Sequence, residues 1–165
     1  MLRGWVLAGG ASSRFGRDKA TVEVEGIPMV LRVARAMQAA GLQVGIVAKD
    51  RRLDHLGLPV LVEPLEPRHP ALGVAVALEL GEAVFAPCDL PWIPPEAFLA
   101  LGPASVAFDG HVHPLVARYP GSWAGRAREI AEGGHAAKKL ADGAERVAMP
   151  TSWLRNINRP IDLEP

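Results

Sequence analysis

Over its first hundred residues the chain alternates short apolar runs with stretches whose apolar residues recur every three or four positions. No other feature narrows its fold as far. Residues 2–8, 44–48, 60–62 and 83–86 read as buried strands. Between them, Met29, Val30, Val33, Ala36, Met37 and Ala40 mark an amphipathic helix, with Pro28 suited to its first turn and Gly41 to its stop. Residues 71–80, between Pro70 and Gly81, predict a second helix, and 95–101 a short third one. Such alternation favours an α/β fold, a parallel sheet with helices on both faces. Residues 21–24 read as a short strand before a Glu25-Gly26 turn. Beyond Pro103 the pattern weakens. Residues 105–108 and 112–119 predict an antiparallel hairpin around Asp109-Gly110. Residues 123–132 and 136–141 predict helices, and 146–149 and 154–157 short strands. With no repeat, low-complexity tract or linker, residues 1–165 read as one domain.

The 18 basic and 18 acidic residues cancel, which argues against a nonspecific binder of nucleic acid. At 49% hydrophobic and 22% charged, the composition is that of an ordinary globular domain and not of a disordered chain. No run reaches the length of a membrane span, and the start goes directly into an apolar strand without a signal-peptide layout. Cys88 stands alone, so it has no internal disulfide partner. These features predict a cytoplasmic protein with neither a membrane nor a nucleic-acid partner. Amides are scarce: Gln38, Gln43, Asn156 and Asn158 are the whole set, and both asparagines fall in one Asn156-Ile157-Asn158 triplet.

In an open parallel sheet, ligands bind beyond the carboxyl ends of the strands. Two segments leave strands at that edge with unusual chemistry. The first is Gly9-Gly10-Ala11-Ser12-Ser13-Arg14-Phe15-Gly16-Arg17-Asp18-Lys19. Its glycines let the backbone approach a ligand and expose N–H groups, and Arg14, Arg17 and Lys19 add positive charge, a combination suited to a polyphosphate. The spacing is neither that of a Walker loop nor that of the dinucleotide G-x-G-x-x-G. On glycine content alone an exposed basic turn is an equal reading; length, charge and placement favour a ligand. The second is Pro87-Cys88-Asp89-Leu90-Pro91. A carboxylate fixed between prolines at a strand end suits Mg²⁺, which takes one or two carboxylates and completes its shell with phosphate oxygens and water. Taken alone, Asp89 reads more readily as a turn or N-cap residue. Cys88, with no histidine beside it, reads as packing.

Together these segments resemble a known family. Residues 7–20, LAGGASSRFGRDKA, are similar to the L-A-G-G-x-S-x-R-[MF]-G-x-D-K signature of small nucleotidyltransferases with a GT-A-like, Rossmann-related fold, most closely the molybdenum cofactor guanylyltransferases of the MobA family. Further segments match in order: Pro70-Ala71-Leu72-Gly73, PCDLPWIP at 87–94, His113-Pro114-Leu115, and Asn156-Ile157-Asn158-Arg159-Pro160. The resemblance implies a three-layer fold with a mostly parallel sheet and an antiparallel portion. It implies transfer of GMP from GTP to the terminal phosphate of molybdopterin, with release of pyrophosphate.

Residue by residue, the resemblance implies that Leu7, Ala8 and Gly9 border guanine and ribose. It places Gly10, Arg14 and Lys19 against the triphosphate, Asp89 on Mg²⁺, and Glu63 near the acidic base-reading position. It turns Asn156, Asn158 and His113 toward the pterin substrate. Its implied partners are GTP, molybdopterin, and cofactor-insertion proteins or apo-molybdoenzymes. On a strand the two asparagines would share one face; turn chemistry before Pro160 is the other reading of the pair. His111 and His113 also stand at i, i+2, but no third metal ligand is near them in sequence. The sequence departs from the family pattern at Leu90 and Arg159, toward the acceptor end. A cytidylyltransferase for the same pterin, another small phosphate acceptor, and a nucleotide-binding carrier without catalysis are the alternatives.

Overall fold

A computed structural model describes residues 1–9 and 19–157. Strand β1 (Arg3–Leu7) is followed by a 3₁₀ turn (Lys19–Thr21) and a small antiparallel ribbon, β2 (Glu23–Val24) and β3 (Ile27–Pro28). Helix α1 (Met29–Ala39) buries Met29, Val30, Val33, Ala34, Ala36 and Met37. It stops before Gly41, whose φ of +89° lets the chain reverse into β4 (Gln43–Ala48). Strand β5 (Val60–Val62), helix α2 (Pro70–Leu78), strand β6 (Ala83–Pro87) and helix α3 (Pro95–Leu99) complete the alternating half. Then come β7 (Ser105–Phe108), β8 (Val112–Tyr119), helix α4 (Ala124–Glu132) and β9 (Glu145–Ala148).

Seven strands form one sheet in the order β5-β4-β1-β6-β8-β7-β9. β8 runs antiparallel to both its neighbours, and every other pairing in the sheet is parallel. The expected α/β architecture, mostly parallel with an antiparallel portion, is therefore the architecture observed.

Period-two alternation sends successive strand residues to two separate cores. Val6, Val44, Ile46, Ala48, Val84 and Ala86 pack on the side of α1 and α3, with Val33, Met37 and Phe98. Trp5, Val47, Ala83, Phe85, Ala117 and Tyr119 pack on the side of α2 and α4, with Leu72, Leu78 and Ile130. Gly45 faces that second layer because a Cβ there would meet the Trp5 ring at 2.5 Å. Among the described residues no helix is long and apolar enough to cross a membrane.

Three local expectations are corrected. Residues 154–157 are not a strand: Thr151–Leu154 is a 3₁₀ turn, and the chain beyond it is irregular. The predicted helix at 136–141 is the 3₁₀ segment Ala137–Ala141, closed off by Gly133, Gly134 and Gly143. The strand expected at 21–24 is shortened to β2 because Lys19–Thr21 turns first.

Candidate active site at the carboxyl edge of the sheet

β1, β5 and β6 carry one further backbone bond past their regular ends. Ala8 N–H donates to Val47 O at 2.8 Å, Cys88 N–H to Leu7 O at 3.1 Å, and Glu63 N–H to Ala48 O at 2.9 Å. Residues just beyond the strands are thereby held in fixed register. They line a cavity of about 530 Å³. Leu7, Ala8 and Gly9 line its centre beneath β1, with Glu63 and Lys49 on the β5–β4 side and Asp89 on the β6 side.

On the β5–β4 side, Lys49 Nζ stands 2.6 Å from Glu63 Oε1 and donates to Pro64 O at 2.7 Å. The Glu63 side chain is only 6% exposed, and Lys49 is the cation paired with it there. Its other oxygen, Oε2, lies close over two glycines. A Cβ at Gly9 would meet it at 2.9 Å, and one at Gly73 at 2.6 Å. Glycine at both positions is thus a condition for seating this carboxylate.

On the β6 side, Lys19 Nζ lies 3.5 Å from Asp89 Oδ2. This is a long contact for a charge-assisted bond. Burial raises the Asp89 carboxyl above its ordinary value, and the charge and hydrogen bond of Lys19 only partly offset that. A cation placed here would restore the carboxylate. Among the described residues no three His, Cys, Asp or Glu side chains converge. A divalent ion would therefore draw Asp89 from the protein and its other ligands from phosphate oxygens and water, the donor set that fits Mg²⁺.

Asn156 is exposed beside this end and does not line the cavity. Its neighbour Ile157 is fully buried against Val22, Val24 and Met29, and Ile157 N–H donates to Asp89 O at 2.8 Å. The triplet thus reaches Asp89 through its apolar middle residue and not as a strand. Gly10, Arg14 and Asn158 lie outside the described residues. His113 is in β8, bonded to Asp109 at 2.7 Å; the cavity wall on that strand is Leu115.

Sequence reasoning did not single out Lys49, Arg52, Arg68 and His69, all of which line the cavity. Lys49 was findable by the rule that exposed Asp89: it is the first polar residue after an apolar strand. Arg52 and Arg68 sit in loops without a motif. His69 caps α2, its Nδ1 accepting from Ala71 N–H at 3.0 Å while Nε2 meets His135 O at 2.6 Å. With Lys19, the cavity gathers four fixed cations against Glu63 and Asp89, in a chain of zero net charge. That imbalance suits an anionic ligand.

Comparison with known proteins agrees with this layout. The model of the MobA-like NTP transferase domain matches residues 4–147. A probable molybdenum cofactor guanylyltransferase of Pyrococcus furiosus is 37% identical over 58% of this chain and 51% of its own length, so the chain spans about half of that relative. The molybdenum cofactor guanylyltransferase of Rhodobacter capsulatus is 31% identical over 98% of this chain and 93% of its own. In three dimensions, molybdopterin-guanine dinucleotide biosynthesis protein A of Archaeoglobus fulgidus superposes with a TM-score of 0.78 at 22% identity, covering 99% of this chain and 95% of that one, which shows a common fold. With its sheet order, its edge cavity and a family match running from β1 into β9, the chain belongs to the MobA-like NTP transferase domains.

Proposed function

We propose that the protein transfers GMP from GTP to the terminal phosphate of molybdopterin, releasing pyrophosphate and forming the guanine dinucleotide cofactor. The observation that carries this reading is the pair of opposite charge couples flanking the β1 floor, Lys49–Glu63 on one side and Lys19–Asp89 on the other. Guanine offers an O6 acceptor beside N1–H and N2–H donors. An ammonium next to a carboxylate matches that edge, whereas adenine offers a donor at the O6 position. The base then lies over Gly9 by Glu63, and the triphosphate runs toward Lys19 and Asp89.

The acceptor phosphate is largely ionised near neutral pH, so it needs no strong base. Its oxygen attacks the α-phosphorus, and the bond from that phosphorus to the β-phosphate oxygen breaks. Catalysis is then positioning plus charge neutralisation. Lys19 and Arg14 neutralise charge on the departing pyrophosphate. Asp89 holds Mg²⁺, which when bound supplies Lewis-acid polarisation of the phosphates. Asn156 and Asn158 offer amides to the pterin, with His113 beside the acceptor phosphate. The reaction takes place in the cytoplasm, and the product passes to cofactor-insertion proteins or apo-molybdoenzymes.

The test is incubation with each of the four nucleoside triphosphates and purified molybdopterin, reading pyrophosphate and the dinucleotide. GTP should be consumed. Consumption of CTP instead would place the chain with the cytidylyltransferases. No pyrophosphate from any triphosphate would make it a nucleotide-binding carrier.

A further inference from the structure

Between β7 and β8 the pairing register jumps: Val106 pairs with Ala117, but the next residue, Ala107, pairs with His113. Residues 114–116 therefore stand out of the ladder with β7. Contacts from two sides hold this bulge in one shape. Tyr119 Oη, buried in the core, donates to Pro114 O at 2.6 Å. At the other end, His113 Nε2 lies 2.7 Å from Asp109 Oδ1, a carboxylate whose side chain is 8% exposed. The bulge supplies Leu115 to the cavity wall. In the antiparallel β6–β8 register, Ala83 faces Tyr119 and Phe85 faces Ala117, so the start of β8, with His113 and Leu115, lies toward the carboxyl end of β6.

An ionised carboxylate only accepts hydrogen bonds, so Nε2 carries the proton it donates to Asp109, and Nδ1 is the ring atom left to meet a ligand. Thr151, at the start of the 3₁₀ turn that leads to Asn156, joins His113 in holding the Asp109 carboxyl below its ordinary value. One half-buried carboxylate therefore braces the start of β8 beside the cavity wall. The sequence offered Asp109 only as a hairpin turn residue. A turn does not need its aspartate bonded to a histidine four residues on.

We infer that Asp109 is a positioning residue for the acceptor: it fixes the His113 imidazole at the sheet edge, where the ring meets the phosphomonoester of the acceptor. The inference rests on the acceptor side of the proposed reaction. Its expected signature is a split between the two substrates. Asp109→Ala should raise the acceptor KM about tenfold, as for one lost hydrogen bond, and leave the KM for GTP within about twofold. Asp109→Asn, whose amide oxygen still accepts from Nε2–H, should recover most of the loss. In parallel, millimolar inorganic phosphate should shift the ¹⁵N resonances of the His113 ring in the wild-type protein, and that shift should vanish in Asp109→Ala. If Asp109→Ala does not fold, the wild-type titration and Asp109→Asn decide. Unchanged KM values in Asp109→Ala, or a His113 ring unmoved by phosphate in the wild type, would overturn the inference. If the wild type makes no dinucleotide from any triphosphate, the proposed reaction fails. A phosphate shift at His113 that depends on Asp109 would still support the dyad.

Discussion

Replacing Gly73 by alanine sets two effects of known size against each other. Gly73 lies inside α2, where alanine should stabilise the helix by about 0.8–1 kcal/mol. The new Cβ, however, would stand 2.6 Å from Glu63 Oε2 and 3.2 Å from Val47 Cγ1. Reaching an ordinary contact of 3.4 Å requires the carboxylate to retreat by roughly 0.8 Å. It has no slack, because Oε1 is held at 2.6 Å by Lys49 and the opposite side is closed by Gly9. Straining or losing that charge-assisted bond costs about 1.5–3 kcal/mol. The loss wins: net destabilisation is about 0.5–2 kcal/mol, or about 1–8 °C in Tm for a chain of this size. A displaced Glu63 should also raise the KM for GTP about tenfold. Adding Glu63→Asp, one methylene shorter, should return part of the stability by opening the contact. Calorimetry and GTP-dependent pyrophosphate release measure both effects. A Gly73→Ala protein that melts higher with its GTP kinetics unchanged would refute the seating of Glu63 and its role at the base.

Asp89→Asn should fold normally yet lose at least about 10²-fold in kcat at saturating Mg²⁺; near-normal turnover would remove Asp89 from the metal site. Lys19→Ala should lower kcat by roughly 10²-fold, the cost of one preorganised electrostatic partner; an effect on solubility alone would make the loop an exposed turn. Asn156→Ala should weaken acceptor use by up to about tenfold while leaving Tm and the KM for GTP unchanged, because the residue is exposed. Burial raises the Tyr119 phenol well above its ordinary value of 10.0. Above pH 10 the unfolded chain therefore releases a proton that the folded one keeps, and stability falls as pH rises toward the folded value. Tyr119→Phe should remove that alkaline slope in denaturant titrations, and an unchanged slope would mean the hydroxyl is not buried as described.

The alternating half of the fold was legible because each strand there is an apolar run with a charged or glycine-rich exit. The same rule pointed to the loop after β1 and to Asp89. It misled at 154–157, where Leu154 and Ile157 look like strand residues. Leu154 packs under the sheet, and Ile157 belongs to a separate small cluster with Val22, Val24 and Met29. A buried apolar residue does not announce which surface it covers. The Lys49–Glu63 couple was half visible. Glu63 was singled out through family resemblance, but its partner lies 14 positions earlier, just past the end of a neighbouring strand. The Asp109–His113 contact spans only four residues, yet a hairpin turn explains Asp109 equally well until the bulge in β8 is seen.

The bond from Ile157 N–H to Asp89 O joins backbone positions 68 residues apart. It makes that one amide a natural reporter in hydrogen exchange. Its protection depends on the docking of Ile157 into its small cluster, while amides of β1 and β6 depend on opening of the central sheet. If the Ile157 amide exchanges faster than those of β1, residues 155–157 detach as a unit while the cavity floor stays closed. Nucleotide binding and acceptor docking would then be separable in time. Exchange measured with and without each substrate would show which of the two orders the segment beside the buried carboxylate.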